Sequence, residues 1–357
     1  MPPGPPFVLA ARTSLAGFRL EVSLEVVGGE TLALVGPNGS GKTTCLSLAA
    51  GLLRPEQGRV ALGAEIWCDT RAGIDLPPHR RHVGLVQQQY ALFPHLHVEE
   101  NIAYGAWARG ARRVAAQASS EVWMDRLGLR HLAGRAIGEL SGGQRQKGAL
   151  ARALASGARV LLLDEPFAAL DVAARGTVRG ELRTFLQELG LPTLLVTHDA
   201  TDALALADRI AVIEQGRITQ HGTREELLSR PQTPFVAELV GLNLYRATLG
   251  AGGDLREARV GAIVFHVLAH GGEGPISLAF TPSSVTLSAE QPHGSAQNVF
   301  AGRVREVLPL ADRLRVVVDV GVPMAADVTR QAASALALAA GRPVWASVKA
   351  TAIDVYR

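Results

Sequence analysis

The 357-residue sequence is poor in cysteine, in aromatic residues and in long apolar runs. Its two cysteines, Cys45 and Cys68, do not make a disulfide framework, which fits a reducing compartment. Lysine and arginine (36) exceed aspartate and glutamate (33) so slightly that the formal net charge is +3. No basic tract is long enough to form a nucleic-acid stripe, so no nucleic-acid partner is expected. Apolar runs such as "RVLLLDE" and "PTLLVTHD" fall far short of the roughly 20 residues that span a bilayer. The opening residues, MPPGPPF, lack the basic start and apolar stretch of a secretion signal. The expectation is a cytosolic chain that relies on other proteins for any membrane span. Hydrophobic content of 47% against 19% charged marks it as globular, with length for one large domain and a smaller one.

What is present is an alternation. The short, wholly apolar runs "ETLALVG", "RVLLLDE" and "PTLLVTH" are separated by helical patterns. Runs of this kind are buried on both faces of a parallel sheet, so an α/β domain is expected over 1–235. Ala- and Arg-rich helical spacing ("AQASSEVWMDRLGLRHL") places a helical subdomain at about 90–150. "SRPQTPF" at 229–235 reads as the exit from that domain. A linker and β-rich segment follows over 236–294. "RLRVVVDV" and part of "RPVWASVKATAIDVYR" alternate at period two, giving a small barrel-like β domain over 295–357.

The stretch "GPNGSGKTT" comprises Gly36, Pro37, Asn38, Gly39, Ser40, Gly41, Lys42, Thr43 and Thr44. It satisfies G-x-x-x-x-G-K-[ST] between an apolar strand and a helical run, the context that a phosphate-binding loop requires. Its glycines let backbone amides curl round phosphates, and the helix N-terminus adds a positive dipole. Lys42 is placed to reach the β and γ phosphates, and the Thr43 hydroxyl to ligate Mg²⁺. Cys45, on the helix, reads as a packed small residue.

A second apolar run ends in Asp164 and Glu165. After a phosphate loop, Asp164 reads as a holder of Mg²⁺ through water and Glu165 as the general base. His198 closes a third apolar run, and a γ-phosphate contact is expected of it. Farther along, "LSGGQ" contains Ser141, a good helix N-cap, then Gly142, Gly143 and Gln144. This is another anion-binding helix start. One γ-phosphate has no room for two such loops unless the second comes from another molecule, so a head-to-tail homodimer with two composite sites is expected.

"LSGGQ" between "GPNGSGKTT" and "LLLDEPFAALD", followed by "VTHD", resembles the ATPase subunit of an ABC transporter over residues 20–225. The resemblance implies a P-loop cassette that binds ATP with Mg²⁺. It implies that Gln88 senses Mg²⁺ and the attacking water, so that Thr43, Gln88 and Asp164 surround the metal. It implies that Asp171 contacts the partner subunit. The segment from Gln88 to about Glu100 would receive the coupling helices of a membrane permease, at the cytoplasmic face of the membrane, with an external solute-binding protein as an indirect partner. His95 and His97 lie in that contact segment and read as solvated or packed residues. The aromatic residue that the family stacks on adenine is missing near Thr13, which leaves Phe18 as the candidate. Gly148 stands where the family has a bulkier aliphatic residue.

The chain's end is similar to the small oxyanion-binding domain of molybdate importers, a TOBE or Mop-like domain with an OB-like β fold. The stretches "SAQNVFAGRV" and "AADVTRQAASALALAAGRPVWASVKATAIDVYR" carry this resemblance. By position, Ser295, Thr329 and Lys349 are either oxyanion contacts or exposed barrel residues. "AFTPSSV" has Thr281 where the related pattern has Arg. Together these resemblances imply an ATP-hydrolysing importer subunit for molybdate or a related oxyanion, with sulfate, iron, polyamines or sugars as other solutes and a permease-free cassette acting in translation or repair as the other reading.

Overall fold

The structure, a computed structural model, describes residues 4–15, 17–170, 172–310 and 312–357. It divides into two compact units, the first ending at Arg224 and the second beginning at Glu225.

Among the described residues of the first unit, eleven strands form one sheet. They are β1 (Phe7–Leu15), β2 (Phe18–Val26), β3 (Thr31–Val35), β4 (Gln57–Leu62), β5 (Glu65–Asp69), β6 (Ile74–Asp75), β7 (Val83–Val86), β8 (Val160–Asp164), β9 (Thr193–Val196), β10 (Arg209–Glu214) and β11 (Arg217–Thr223). The sheet order is β6-β5-β4-β1-β2-β11-β10-β3-β9-β8-β7. β1, β2 and β4 to β6 are antiparallel, and β1 and β2 alternate in burial, as in the B-i-B-i pattern of β1. β3 and β9 are buried at every position, and β8 at all but its last. That is why their sequences are continuous apolar runs rather than alternating ones.

β3, β9, β8 and β7 are parallel neighbours. Their C-terminal ends therefore lie along one rim, Val35, Val196, Asp164 and Val86 in turn. The crevice beyond such a rim is where open α/β sheets bind ligands.

Helix α1 (Lys42–Ala50) follows β3. Its C-terminal carbonyls are capped by a fully buried arginine: Arg81 Nη1 donates to Leu48 O (2.9 Å) and Ala49 O (3.4 Å). Asp75 accepts from Arg81 Nη2 at 2.9 Å, so the buried charge is paired. Helices α2 (Val98–Trp107), α3 (Arg113–Arg126) and α4 (Gly142–Ala155) pack on one another and form the helical subdomain. α5 (Val172–Leu189) and α6 (Ala200–Leu206) pack together after β8 and β9.

Two short helices follow, α7 (Arg224–Ser229), which starts at the last residue of the first unit, and α8 (Pro234–Val240) in the second. Between them, Pro231 O accepts from Tyr356 Oη (2.5 Å) and Gln232 O from Arg246 Nη2 (2.6 Å). The division therefore lies before the Pro-rich stretch at 229–235, because that stretch is bonded into the second unit.

The β elements of this unit are β12 (Asn243–Gly252), β13 (Leu255–Val260), β14 (Ile263–Leu268), β15 (Gly274–Phe280), β16 (Thr286–Ser288), β17 (Asn298–Pro309), β18 (Leu314–Asp319), β19 (Pro323–Val328), β20 (Pro343–Val348) and β21 (Asp354–Tyr356). They form two antiparallel sheets, β14-β13-β12-β15-β21 and β16-β20-β17-β18-β19. The segments 236–294 and 295–357 interlock, since β21 pairs with β15 and β16 with β20. One core, with Phe265, Leu278, Phe280, Val316 and Ala346 among its residues, serves both sheets. Among the described residues, no helix is long and apolar enough to cross a membrane.

Candidate active site at the sheet rim

The rim assembles residues far apart in sequence. After β3 the chain makes the phosphate loop, with Gly39 and Gly41 at φ 77° and 106°, left-handed values open to glycine. Gly36 is required for another reason: a Cβ there would lie 2.0 Å from Ile213 O on β10. Lys42 is buried and folds back on the loop, donating Nζ to Gly36 O (2.7 Å) and Pro37 O (2.9 Å). Burial pushes its ammonium below the usual lysine range, against the charges of Glu165 and Asp164. Ser40 Oγ is buried with no hydrogen-bond partner among the described residues. A cradle lined by a bent-back ammonium and an unpaired hydroxyl suits a phosphate chain.

Asp164 ends β8, and burial raises its carboxyl above the usual range, with Glu165's charge adding and Lys42 opposing. Glu165 takes a left-handed backbone, φ 46°, which turns the chain sharply off the strand. Its carboxylate is met from both sides. His198 Nδ1 lies 2.8 Å from Oε1, and Gln88 Nε2 donates to Oε2 at 3.4 Å. The three converge because β7, β8 and β9 end side by side. Thr43, Gln88 and Asp164 line one small cavity of about 240 Å³. Their oxygens are the hard donors that Mg²⁺ prefers, so this residue set fits the ion.

The second glycine loop is the start of α4. Ser141 Oγ accepts from Gln144 N (3.3 Å), and Gln144 Oε1 accepts from Ser141 N (2.9 Å), a reciprocal cap. Gly142 lies against Leu170 and Ala169, where a Cβ would be 2.7 Å from Leu170 Cδ2. Gly143 approaches Val178. Among the described residues, no hydrogen bond joins Ser141–Gln144 to the phosphate loop. Asp171 lies outside the described residues.

Other expected residues have different surroundings. Phe18 packs its ring edge against the phosphate loop, 3.2 Å from where a Gly41 Cβ would be. It also lines a cavity of about 610 Å³ with Asn38, Ser40, Glu214 and Arg217. His97 N donates to Glu100 Oε2 (2.8 Å) at the start of α2. In the second unit, Ser295 and Lys349 are exposed. Thr329 is exposed as well, and its hydroxyl accepts from Ala332 N (3.1 Å) as a helix cap.

Sequence reading missed the residues that shape the loop after Gln88. Asn101 is buried, accepts from Phe93 N (2.7 Å) and donates to Phe93 O and Leu96 O, both at 3.0 Å. A buried asparagine in the first turns of a helix is a capping signal that spacing alone does not aim at any particular loop.

Fold and site together define a P-loop nucleotide hydrolase. The ABC transporter family model matches residues 20–168, and the TOBE domain model matches 294–355. The Molybdenum import ATP-binding protein ModC of Mycobacterium tuberculosis (strain ATCC 25618 / H37Rv) is 40% identical, over 98% of this chain and 97% of its own. The Sulfate/thiosulfate import ATP-binding protein CysA of Burkholderia mallei is 38% identical, over 93% of each chain. A solved dimeric, post-hydrolysis ATP-binding cassette bound to ADP and Pi matches with TM-score 0.50 and 25% identity, over 61% of this chain and 98% of that one. The chain belongs to the ABC transporter family, as one of its ATP-binding, ATP-hydrolysing subunits.

Proposed function

We propose that this chain energises an importer of molybdate or a related oxyanion. It works as a head-to-tail homodimer bound to membrane permease subunits that an external solute-binding protein supplies. Ser141, Gly142, Gly143 and Gln144 of one protomer close on the ATP held by the loop of the other. Lys42 and the loop amides bind the phosphates, with Thr44 at the helix start. Glu165 takes the proton of the attacking water. Gln88 orients that water. His198 contacts the γ-phosphate and fixes the Glu165 carboxylate. Thr43, Asp164 and Gln88 would hold Mg²⁺, which when bound neutralises charge on the phosphates. ATP binding closes the dimer and hydrolysis reopens it, and this cycle drives alternating access.

The observation that carries this reading is the convergence of Gln88 and His198 on Glu165 beside the phosphate loop. The oxyanion assignment is supported by the 40% identity to a molybdenum import protein along both chains and by the TOBE match. Ser295 and Lys349 supply exposed donors for an oxyanion in that domain. Uptake of labelled molybdate in cells carrying Glu165→Gln tests the function. Loss of molybdate uptake with sulfate uptake intact is expected. The reverse pattern would make the chain a sulfate importer subunit.

A further inference from the structure

The loop after Gln88 is held by the far end of the helix that Ser141 begins. From α4, Arg152 Nη1 donates to Ala91 O (2.7 Å) and Nη2 to Tyr90 O (3.0 Å). The guanidinium also lies over the Phe93 ring, 5.2 Å from its centroid. Tyr90 and Ala91 both have left-handed backbones, φ 61° and 46°. Non-glycine residues rarely adopt this conformation, so the turn persists only where its surroundings fix it. Arg152 bonds the carbonyls of those two residues.

Gly148 stands one turn earlier on the same face of α4. A Cβ there would lie 3.7 Å from Leu92 Cδ1, an ordinary contact, so nothing in the structure explains the glycine. Tyr90 points the other way. Its buried hydroxyl donates to Pro166 O (3.2 Å), next to Glu165. Contacts thus run from α4 through Arg152 to Tyr90, and from Tyr90 to the base of Glu165, which Gln88 also touches.

We propose that Arg152 is a positioning residue for ATP hydrolysis: it fixes the Tyr90–Ala91 turn so that Gln88 and Glu165 meet. This rests on the roles given above to Glu165 and Gln88. Arg152 links the helix that covers one ATP to the general base that serves the other. A lysine in its place has one point charge and cannot bond two carbonyls as a fork.

The test is steady-state ATP hydrolysis, nucleotide affinity and thermal unfolding of the full chain carrying Arg152→Met, Arg152→Lys or Tyr90→Phe. Arg152→Met should lower kcat about 10- to 100-fold, with KM and nucleotide affinity unchanged. Arg152→Lys should recover part of the loss. Tyr90→Phe should lower kcat alone and add nothing in the Arg152→Met background, because both act on one contact chain. A wild-type kcat in folded Arg152→Met, or a fall in kcat that only follows lost affinity and stability, would overturn the proposal. If Arg152→Met does not fold, Tyr90→Phe decides, and an unchanged kcat there overturns it. A wild-type chain without ATP hydrolysis would overturn the role of Glu165 first, and this inference with it.

Discussion

His198 Nδ1 lies 2.8 Å from Oε1 of Glu165. The pair brings a strand-end imidazole onto a carboxylate that leaves its own strand through a left-handed turn. A carboxylate fixed on one oxygen keeps the other aimed at the crevice, where Gln88 Nε2 reaches it at 3.4 Å. Glu165→Gln keeps the shape and one acceptor oxygen but cannot take a proton. Turnover should fall about 10²- to 10⁴-fold while ATP binding survives, as read by phosphate release and nucleotide titration.

Ser141 does two jobs that one substitution can separate. Its hydroxyl caps α4, and the proposed composite site would set it against the phosphate of the other protomer. Aspartate caps a helix as well as serine does but repels phosphate. Ser141→Asp should therefore unfold at the wild-type temperature, bind ATP at its own loop, and hydrolyse almost none. Wild-type turnover in this variant would remove the second loop from the mechanism.

Gly36 has no room for a methyl group, since its Cβ would sit 2.0 Å from Ile213 O. Gly36→Ala must move the loop or β10. A stability loss of about 1–3 kcal/mol is expected, together with lost ATP binding. Chemical denaturation and nucleotide titration check both. Intact ATP affinity in this variant would mean that the loop tolerates the displacement.

Local signals were legible in the sequence, and neighbours across the sheet were not. The phosphate loop and "LSGGQ" were readable because glycine spacing and helix caps are local signals. The apolar runs showed that β3, β8 and β9 were buried strands, but not that β7 lies beside β8. That adjacency is what brings Gln88 to Glu165, and spacing along the chain does not encode it. Arg152 and Tyr90 were missed for the same reason, since their partners are backbone carbonyls that any residue offers. In the C-terminal unit, alternation revealed strands. It could not reveal that β16 and β21 cross between segments and merge them into one core.

Alkaline pH should weaken both units. Burial pushes the Cys45 thiol from 9.0 up to about 12 and the Tyr356 hydroxyl from 10.0 up to about 12. Burial also raises Cys68 and Tyr245. The folded chain keeps protons that the unfolded chain releases. Stability from these groups is thus whole below about pH 9 and is lost as pH rises towards 12. Urea midpoints should fall between pH 9 and 11, and a flat profile would contradict the burial of these groups. Native Cys45 should also resist alkylation at neutral pH.

The central claim is that two chains complete each ATP site. Size-exclusion chromatography of Glu165→Gln with MgATP tests it most directly. The account predicts a dimer with MgATP and a smaller species without nucleotide. A variant that binds MgATP yet stays monomeric would contradict it.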